Sequence, residues 1–296
     1  MLVQILSKLT SESLLSLYPT IVKNINIPFD MKLWTRFVPY TLISFLFIDY
    51  KFVTENLFSK SGLLLSFITI LHIFTSYKGF EGLESGVAYT IFYTYPLMIL
   101  LMAGEKIKPL MLVPLLGVAL LVYESNVENM ESKNELENLV KNETEKTSKN
   151  EEKTSKPNNL LMFSLFMVFL AALTEAGLYF VVRDLKTKNN WNHLFISYFL
   201  GAVLLTGSLF GKIKLYLESG LLTGSFVLNI VIGLLGYLLR FYATTRLEPS
   251  IYAPLSYFGI IMSHVYGFIF NNDVITWKKV LGTLLIIMPN LYIKLK

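Results

Sequence analysis

The sequence predicts an all-α integral membrane protein, with ten transmembrane helices arranged as two inverted five-helix repeats. Three observations carry that expectation. Of 296 residues, 53% are hydrophobic and 16% charged, against about 25% charged in a soluble domain. The apolar runs approach the roughly 20 residues a helix needs to cross a bilayer core of about 30 Å with every backbone polar group satisfied internally. The chain also repeats itself, because "LESGVAYTIFY" from Leu83 returns 164 positions later as "LEPSIYAPLSY" from Leu247.

The runs lie near residues 3–23, 33–50, 61–78, 83–102, 108–123, 159–182, 191–210, 221–241, 249–270 and 276–294. Lys8, Ser11, Glu12, Ser13 and Ser16 interrupt the first, so nine spans is the competing count. That first run lacks the short apolar core and small-residue cleavage site of a signal peptide, and it is read as part of the mature protein. Between the fifth and sixth runs, residues 124–158 hold 15 of the 47 charged residues. Such a segment buries too little apolar surface to offset its ordering entropy, so it reads as a solvated linker. The domains expected are therefore 1–123, a first five-helix repeat; 124–158, the linker; and 159–296, a second five-helix repeat.

Two further pairs support the duplication. "SESLLSLYPTIVK" from Ser11 parallels "TEAGLYFVVR" from Thr174, and "GEKIKPLMLVPLLGVALLV" from Gly104 parallels "NDVITWKKVLGTLLIIM" from Asn272. An odd number of helices per unit makes the second copy enter the membrane from the opposite side. Inverted repeats of this kind place a substrate site near the midplane in many secondary transporters.

Composition also narrows the chemistry. There is no cysteine, His72, His193 and His264 show no ligand spacing, and the net charge of +5 forms no basic cluster. No metal, cofactor or nucleic acid is called for. An intramembrane enzyme would need paired acids, a nucleophile–histidine couple or converging metal ligands. No such constellation is visible, and the chain is read as a non-enzyme.

Arg36-Phe37 in the second run and "RLEPSIYAPLSYFGIIMSHVYGFIFNNDVITWKKVLGTLLIIM" near the end carry a family likeness. On them, the chain resembles the drug/metabolite transporter superfamily, most closely its EamA-like branch. There, a small or proline-bearing turn opens the fourth and ninth helices. An acidic residue in a short loop then leads into a Trp-containing last helix with a glycine nine residues on, here Asp273, Trp277 and Gly282. In the first half Glu105 takes the acidic place, but Pro109 and Pro114 stand where Trp and Gly would be, and the long linker departs from compact members. The resemblance implies export or exchange of amino acids, nucleosides and other metabolites; related branches carry nucleotide sugars and sugar phosphates. The partners expected are a small-molecule substrate and the lipid bilayer, with a homodimer left open.

Individual residues sharpen this. Glu84 and Glu248 precede the fourth and ninth helices, where helix capping explains an acid, and Pro249 suits a first helical position. Glu175 lies inside an apolar helix, with Glu12 as its near counterpart 163 positions earlier. Intramembrane carboxylates face the bundle interior or a cavity, so both are candidates for proton coupling, against a purely structural hydrogen bond. Tyr93 and Tyr257 are repeat-related and deep, and their hydroxyls need polar partners. With Tyr18 and Tyr179 in the first and sixth helices, Asn229 in the eighth and His264 in the ninth, they are the candidate substrate contacts. For His264 alone an interhelical hydrogen bond is the plainer reading, and Tyr252 reads as an interfacial anchor. Pro96 and Pro254, at comparable depths in paired helices, suit hinges.

Lys78, Arg183 and Arg240 are placed at helix ends, which favours a neutral or zwitterionic substrate, such as an amino acid or nucleoside, over a phosphate-bearing one. With the linker set aside, the positive-inside count is eleven basic residues against eight for cytoplasmic termini, a balance the six linker lysines would reverse, and the family resemblance implies that orientation; a sequon at Asn142 offers a reporter for the linker's side. The membrane, plasma or internal, is not specified. The expected function is secondary-active transport of a small organic metabolite by alternating access, with proton linkage as an option. A nucleotide-sugar or sugar-phosphate translocator and a non-transporting structural membrane protein are the alternatives.

Overall fold

A computed structural model describes residues 1–104, 113, 116–121, 123–124, 127, 157–218 and 221–295. Glu105, Pro109, Pro114, Asn142 and nearly all of the linker lie outside the described residues. Every regular element among those described is helical.

Where one first span is expected there are two helices, α1 (Leu2–Leu15) and α2 (Tyr18–Asn24). The break follows from Pro19, which has no N–H to offer the carbonyl of Leu15 four residues earlier. The Tyr89 hydroxyl donates to that carbonyl instead, as a helix broken at membrane depth requires. Next, α3 (Phe29–Phe45) sits earlier than the expected 33–50, because Asp49 starts a separate short helix, α4 (Tyr50–Asn56). The Asp49 carboxylate accepts from the N–H of Phe52 at 3.2 Å. Ser59 caps α5 (Lys60–Glu81) in the same way, accepting from the N–H of Gly62 at 3.1 Å.

The fourth span is also broken, into α6 (Ser85–Phe92) and α7 (Tyr95–Met102), with Pro96 in the first turn of α7. In the second half, α8 (Pro157–Asp184) and α9 (Asn190–Glu218) are continuous. The eighth span comprises α10 (Leu221–Leu228), a π-helical segment (Asn229–Leu234) and α11 (Leu235–Thr244). The ninth comprises α12 (Pro249–Ser256) and α13 (Phe258–Asn271), and α14 (Trp277–Leu295) closes the chain. Glu84 and Glu248 occupy the N-cap positions of α6 and α12, but neither makes a side-chain capping hydrogen bond. The Glu84 carboxylate instead accepts from the ammonium of Lys279 on α14.

Among the described residues, six segments are long and apolar enough to cross a membrane: Lys60–Glu81, Ser85–Met102, Leu160–Asp184, Asn190–Lys214, Gly224–Thr244 and Pro249–Asn271. Helix α1 owes its lower hydropathy to Lys8, Ser11, Glu12 and Ser16, all fully buried, while Leu2, Val3 and Leu6 face outward.

The extensive helix contacts join the two sides of the linker: α5 runs along α8, α3 along α9, α1 along α11 and α6 along α13. Small residues permit the approach. A Cβ on Gly79 would lie 2.9 Å from the backbone nitrogen of Val168, and one on Gly117 would lie 2.5 Å from the carbonyl oxygen of Gly282. Asp273 bonds across helices, its Oδ2 accepting from the N–H of Ser85 at 2.8 Å. Trp277 is 71% exposed at the start of α14, the place of an interfacial aromatic.

Candidate functional site

Helix α1 presents Lys8 and Glu12 four residues apart on its buried face, an i,i+4 pair that is in contact. Both residues are 0% exposed. From the other half, Arg240 on α11 bridges two carboxylates: Nη2 lies 3.1 Å from both oxygens of Glu12, and Nη1 lies 2.6 Å from Oε1 of Glu175 on α8. The Tyr93 hydroxyl, at the α6–α7 break, also donates to Glu12. Lys8 Nζ sits 3.5 Å above the Tyr252 ring and 3.4 Å from the Tyr95 hydroxyl. Two cations and two carboxylates thus balance in formal charge, linked across the halves by one guanidinium. Its planar fork allows it to serve two acids at once.

The second oxygen of Glu175, Oε2, has no hydrogen-bond partner. It faces Nε2 of His72 on α5 at 3.4 Å, an approach within ion-pair reach that falls short of a hydrogen bond. The other ring nitrogen of His72 lies 3.2 Å from the Ala171 carbonyl. Tyr237, one turn before Arg240, has its hydroxyl 3.4 Å from His72 Nε2.

On the far side of Tyr237, a second cation is enclosed by aromatic rings. Arg36 of α3, 1% exposed, has its guanidinium 4.4 Å from the Tyr18 ring centre, 4.9 Å from Tyr237 and 5.4 Å from Tyr77. Its Nη2 donates to the Tyr198 hydroxyl at 3.3 Å. The Tyr18 hydroxyl lies 2.6 Å from that of Tyr40 and donates to Oδ1 of Asn229 at 3.2 Å. Asn229 and Gly233 belong to the π-helical segment, a feature frequent at functional sites. A Cβ on Gly233 would fall 1.7 Å from the Tyr40 hydroxyl and 1.8 Å from that of Tyr18; only glycine lets this backbone meet the two phenols.

The structure thus joins several expected residues and separates others. Tyr18 and Asn229 meet beside Arg36, while Glu12, Glu175 and Tyr93 meet in the charged cluster. Tyr179 makes no hydrogen bond to that cluster; it packs on Tyr252 at the cluster's edge and accepts from Arg183 Nη1 at 2.9 Å. Tyr257 is buried with no partner for its hydroxyl. His264 Nε2 lies 3.1 Å from the hydroxyls of both Thr90 and Thr283, tying α6, α13 and α14 together. Two placements need correction. Arg240 is 3% exposed, so it is not a helix-end charge. Tyr252, expected as an interfacial anchor, is buried beneath Lys8. The expected end of the eighth span, at residue 241, put Arg240 at a boundary, whereas α11 continues to Thr244.

A cavity of about 10 Å³, near the size that admits one water, is lined by Glu175, Tyr179, Tyr237, Arg240, Thr244 and Tyr252 among others. Beyond Tyr179, a larger cavity of about 240 Å³ is lined by Arg183, Lys186, Thr187, Lys188, Thr245 and Arg246.

Residues 162–289 match the EamA-like transporter family, part of the drug/metabolite transporter superfamily. No curated protein sequence matches the chain. The match covers most of the second half, including Glu175, Tyr198, Asn229, Tyr237 and Arg240. Over those residues, under half of its length, the chain is similar to the EamA-like transporter family, and its apolar segments fit a multi-pass membrane protein.

Proposed function

We propose that the protein moves a small organic metabolite by alternating access between two inverted five-helix repeats, with ten spans in all, both termini cytoplasmic and transport linked to protons. Three features support the repeat. The helix breaks at Tyr93 and Tyr257 are 164 positions apart, and each closes with an N–H bonded three residues back, Thr94 to Ile91 at 3.1 Å and Tyr257 to Pro254 at 3.3 Å. Gly117 and Gly282, which approach each other, are 165 apart. Exchange of the halves also maps the α1–α11 contact onto α5–α8 and the α6–α13 contact onto α7–α12, and returns α3–α9 to itself.

The observation that carries the mechanism is Arg240 bridging Glu12 and Glu175 across the halves. If the halves part, the bridge opens and leaves a buried carboxylate without its cation, a state too costly to persist unless a proton or another cation replaces it. The Glu175 oxygen facing His72 is where that proton would sit, shared between Oε2 and Nε2. Arg240, Tyr237 and, through Arg240, Glu12 and Lys8 surround this position. Glu175 thus takes and releases a proton, and Glu12 holds Arg240 in register between exchanges.

The sequence-based preference for a neutral or zwitterionic substrate rested on cations confined to helix ends. Burial of Arg36 and Arg240 removes that ground, and it favours a substrate bearing negative charge.

Uptake by purified protein in proteoliposomes tests the proposal, using pooled radiolabelled amino acids, nucleosides, organic acids and nucleotide sugars with and without an imposed pH gradient. Uptake of one pool, accelerated by the gradient, is expected. No uptake from any pool by folded protein would move the weight to the structural, non-transporting reading.

A further inference from the structure

We infer that Arg36 is the binding group for a carboxylate carried by the substrate, so that the cargo is an organic monoanion. The argument starts from charge. Deep in the bundle, Lys8 and Arg240 face Glu12 and Glu175, and these cancel. Arg36 is the remaining cation there, and among the described residues no carboxylate lies within ion-pair reach of it. Its Nε has no hydrogen-bond partner either. A buried guanidinium without a counter-charge is among the costliest groups a bundle core can hold. The faces of Tyr18, Tyr77 and Tyr237 offset part of that cost, and the rest is relieved when the counter-charge arrives with the substrate.

The surroundings of Arg36 suit a carboxylate in three ways. A guanidinium's planar fork matches two carboxylate oxygens. One excess positive charge is balanced by one carboxylate, whereas a phosphate monoester at about −2 would leave a buried negative charge. The Tyr198 hydroxyl, which accepts from Nη2, keeps its own proton as a further donor beside the same guanidinium. A zwitterionic amino acid fits less well, because both buried carboxylates already face cations and none is left over for a substrate ammonium.

A second observation points the same way. The 240 Å³ cavity is lined by four cationic side chains, Arg183, Lys186, Lys188 and Arg246, with two threonines and no acid. Arg183 bonds Tyr179, Tyr179 and Tyr237 both line the small cavity, and Tyr237 stacks near Arg36. Cations thus line a cavity linked to Arg36 by a run of side-chain contacts, and a cavity of one sign concentrates ligands of the other. Basic loops also satisfy membrane orientation, so Arg36 must be tested directly.

The inference rests on the transporter reading for the route, but binding can be measured apart from transport. Thermal unfolding of the purified full chain in detergent is followed with benzoate, its neutral isostere benzamide, or phenyl phosphate, at matched ionic strength. Wild type should be stabilised by benzoate and not by benzamide. Arg36→Met should lose at least about tenfold in apparent benzoate affinity, and Arg36→Lys should retain part of it. Ligand-free Arg36→Met should melt no lower than wild type. The inference is overturned by the absence of a benzoate-specific shift, by an equal or larger shift with phenyl phosphate, or by an Arg36→Met protein that melts well below wild type yet still responds to benzoate. If Arg36→Met does not fold, the benzoate affinity of Arg36→Lys against wild type decides. Benzoate binding without uptake of any organic acid would sink the transporter reading and leave Arg36 as a binding group. Uptake confined to neutral compounds would do the reverse.

Discussion

Two arginines lie in the core of this bundle, separated by the ring of Tyr237, and their surroundings are opposite. Arg240 is gripped by two carboxylates. Arg36 is gripped by none and sits among phenols. A cation with its counter-charge already in the protein is part of the structure, whereas one without it is held ready for something that arrives. On the proposed reading, the difference separates a part of the site that couples the halves from a part that meets the cargo.

The comparison breaks most sharply at Arg240. Arg240→Met would strand Glu12 and Glu175, and removing one partner of a buried pair costs about 3–5 kcal/mol. A steep fall in unfolding temperature in detergent is expected, with loss of uptake. The matching substitution Arg36→Met should cost nothing in stability while abolishing uptake, and the two variants unfolded side by side would show the contrast. Gly233→Ala should fall between them. Its Cβ would collide with the hydroxyls of Tyr18 and Tyr40, and such overpacking costs about 1–3 kcal/mol, read as a lower melting temperature and weaker substrate binding. The smallest effect is expected at His264, whose contacts are the hydroxyls of Thr90 and Thr283. His264→Gln should keep uptake within about fivefold, the scale of a single hydrogen bond of about 1 kcal/mol; a much larger loss would draw His264 into the site.

The same contrast explains what was legible in the sequence. The helical membrane class, the EamA-like pattern and the repeated Leu-Glu motifs were visible because they are written in hydropathy and spacing. So were Glu12 and Glu175, since an acid inside an apolar run stands out, and Tyr18 and Asn229, which do meet. Lys8 was visible only as an interruption of a weak span. Its i,i+4 spacing to Glu12 was the missed signal that both lie on one inward face. Arg240 was missed because the end of its helix was set three residues short. Arg36 was noticed as part of a family motif, yet its burial depends on Tyr18, Tyr77, Tyr198 and Tyr237 converging from four helices, and no local pattern contains that. The helix breaks were half legible: Pro19 and Pro96 marked them, but the hydroxyl of Tyr89 that satisfies the Leu15 carbonyl comes from 74 residues away.

The central claim is that opening of the Arg240 bridge hands Glu175 to a proton, and one measurement tests it most directly. Uptake into proteoliposomes is compared for wild type and Glu175→Gln, each with and without an imposed pH gradient. The account predicts that the gradient accelerates uptake by wild type, while the variant remains folded and transports at one rate whatever the gradient. A Glu175→Gln protein whose uptake still follows the gradient as wild type does would contradict it.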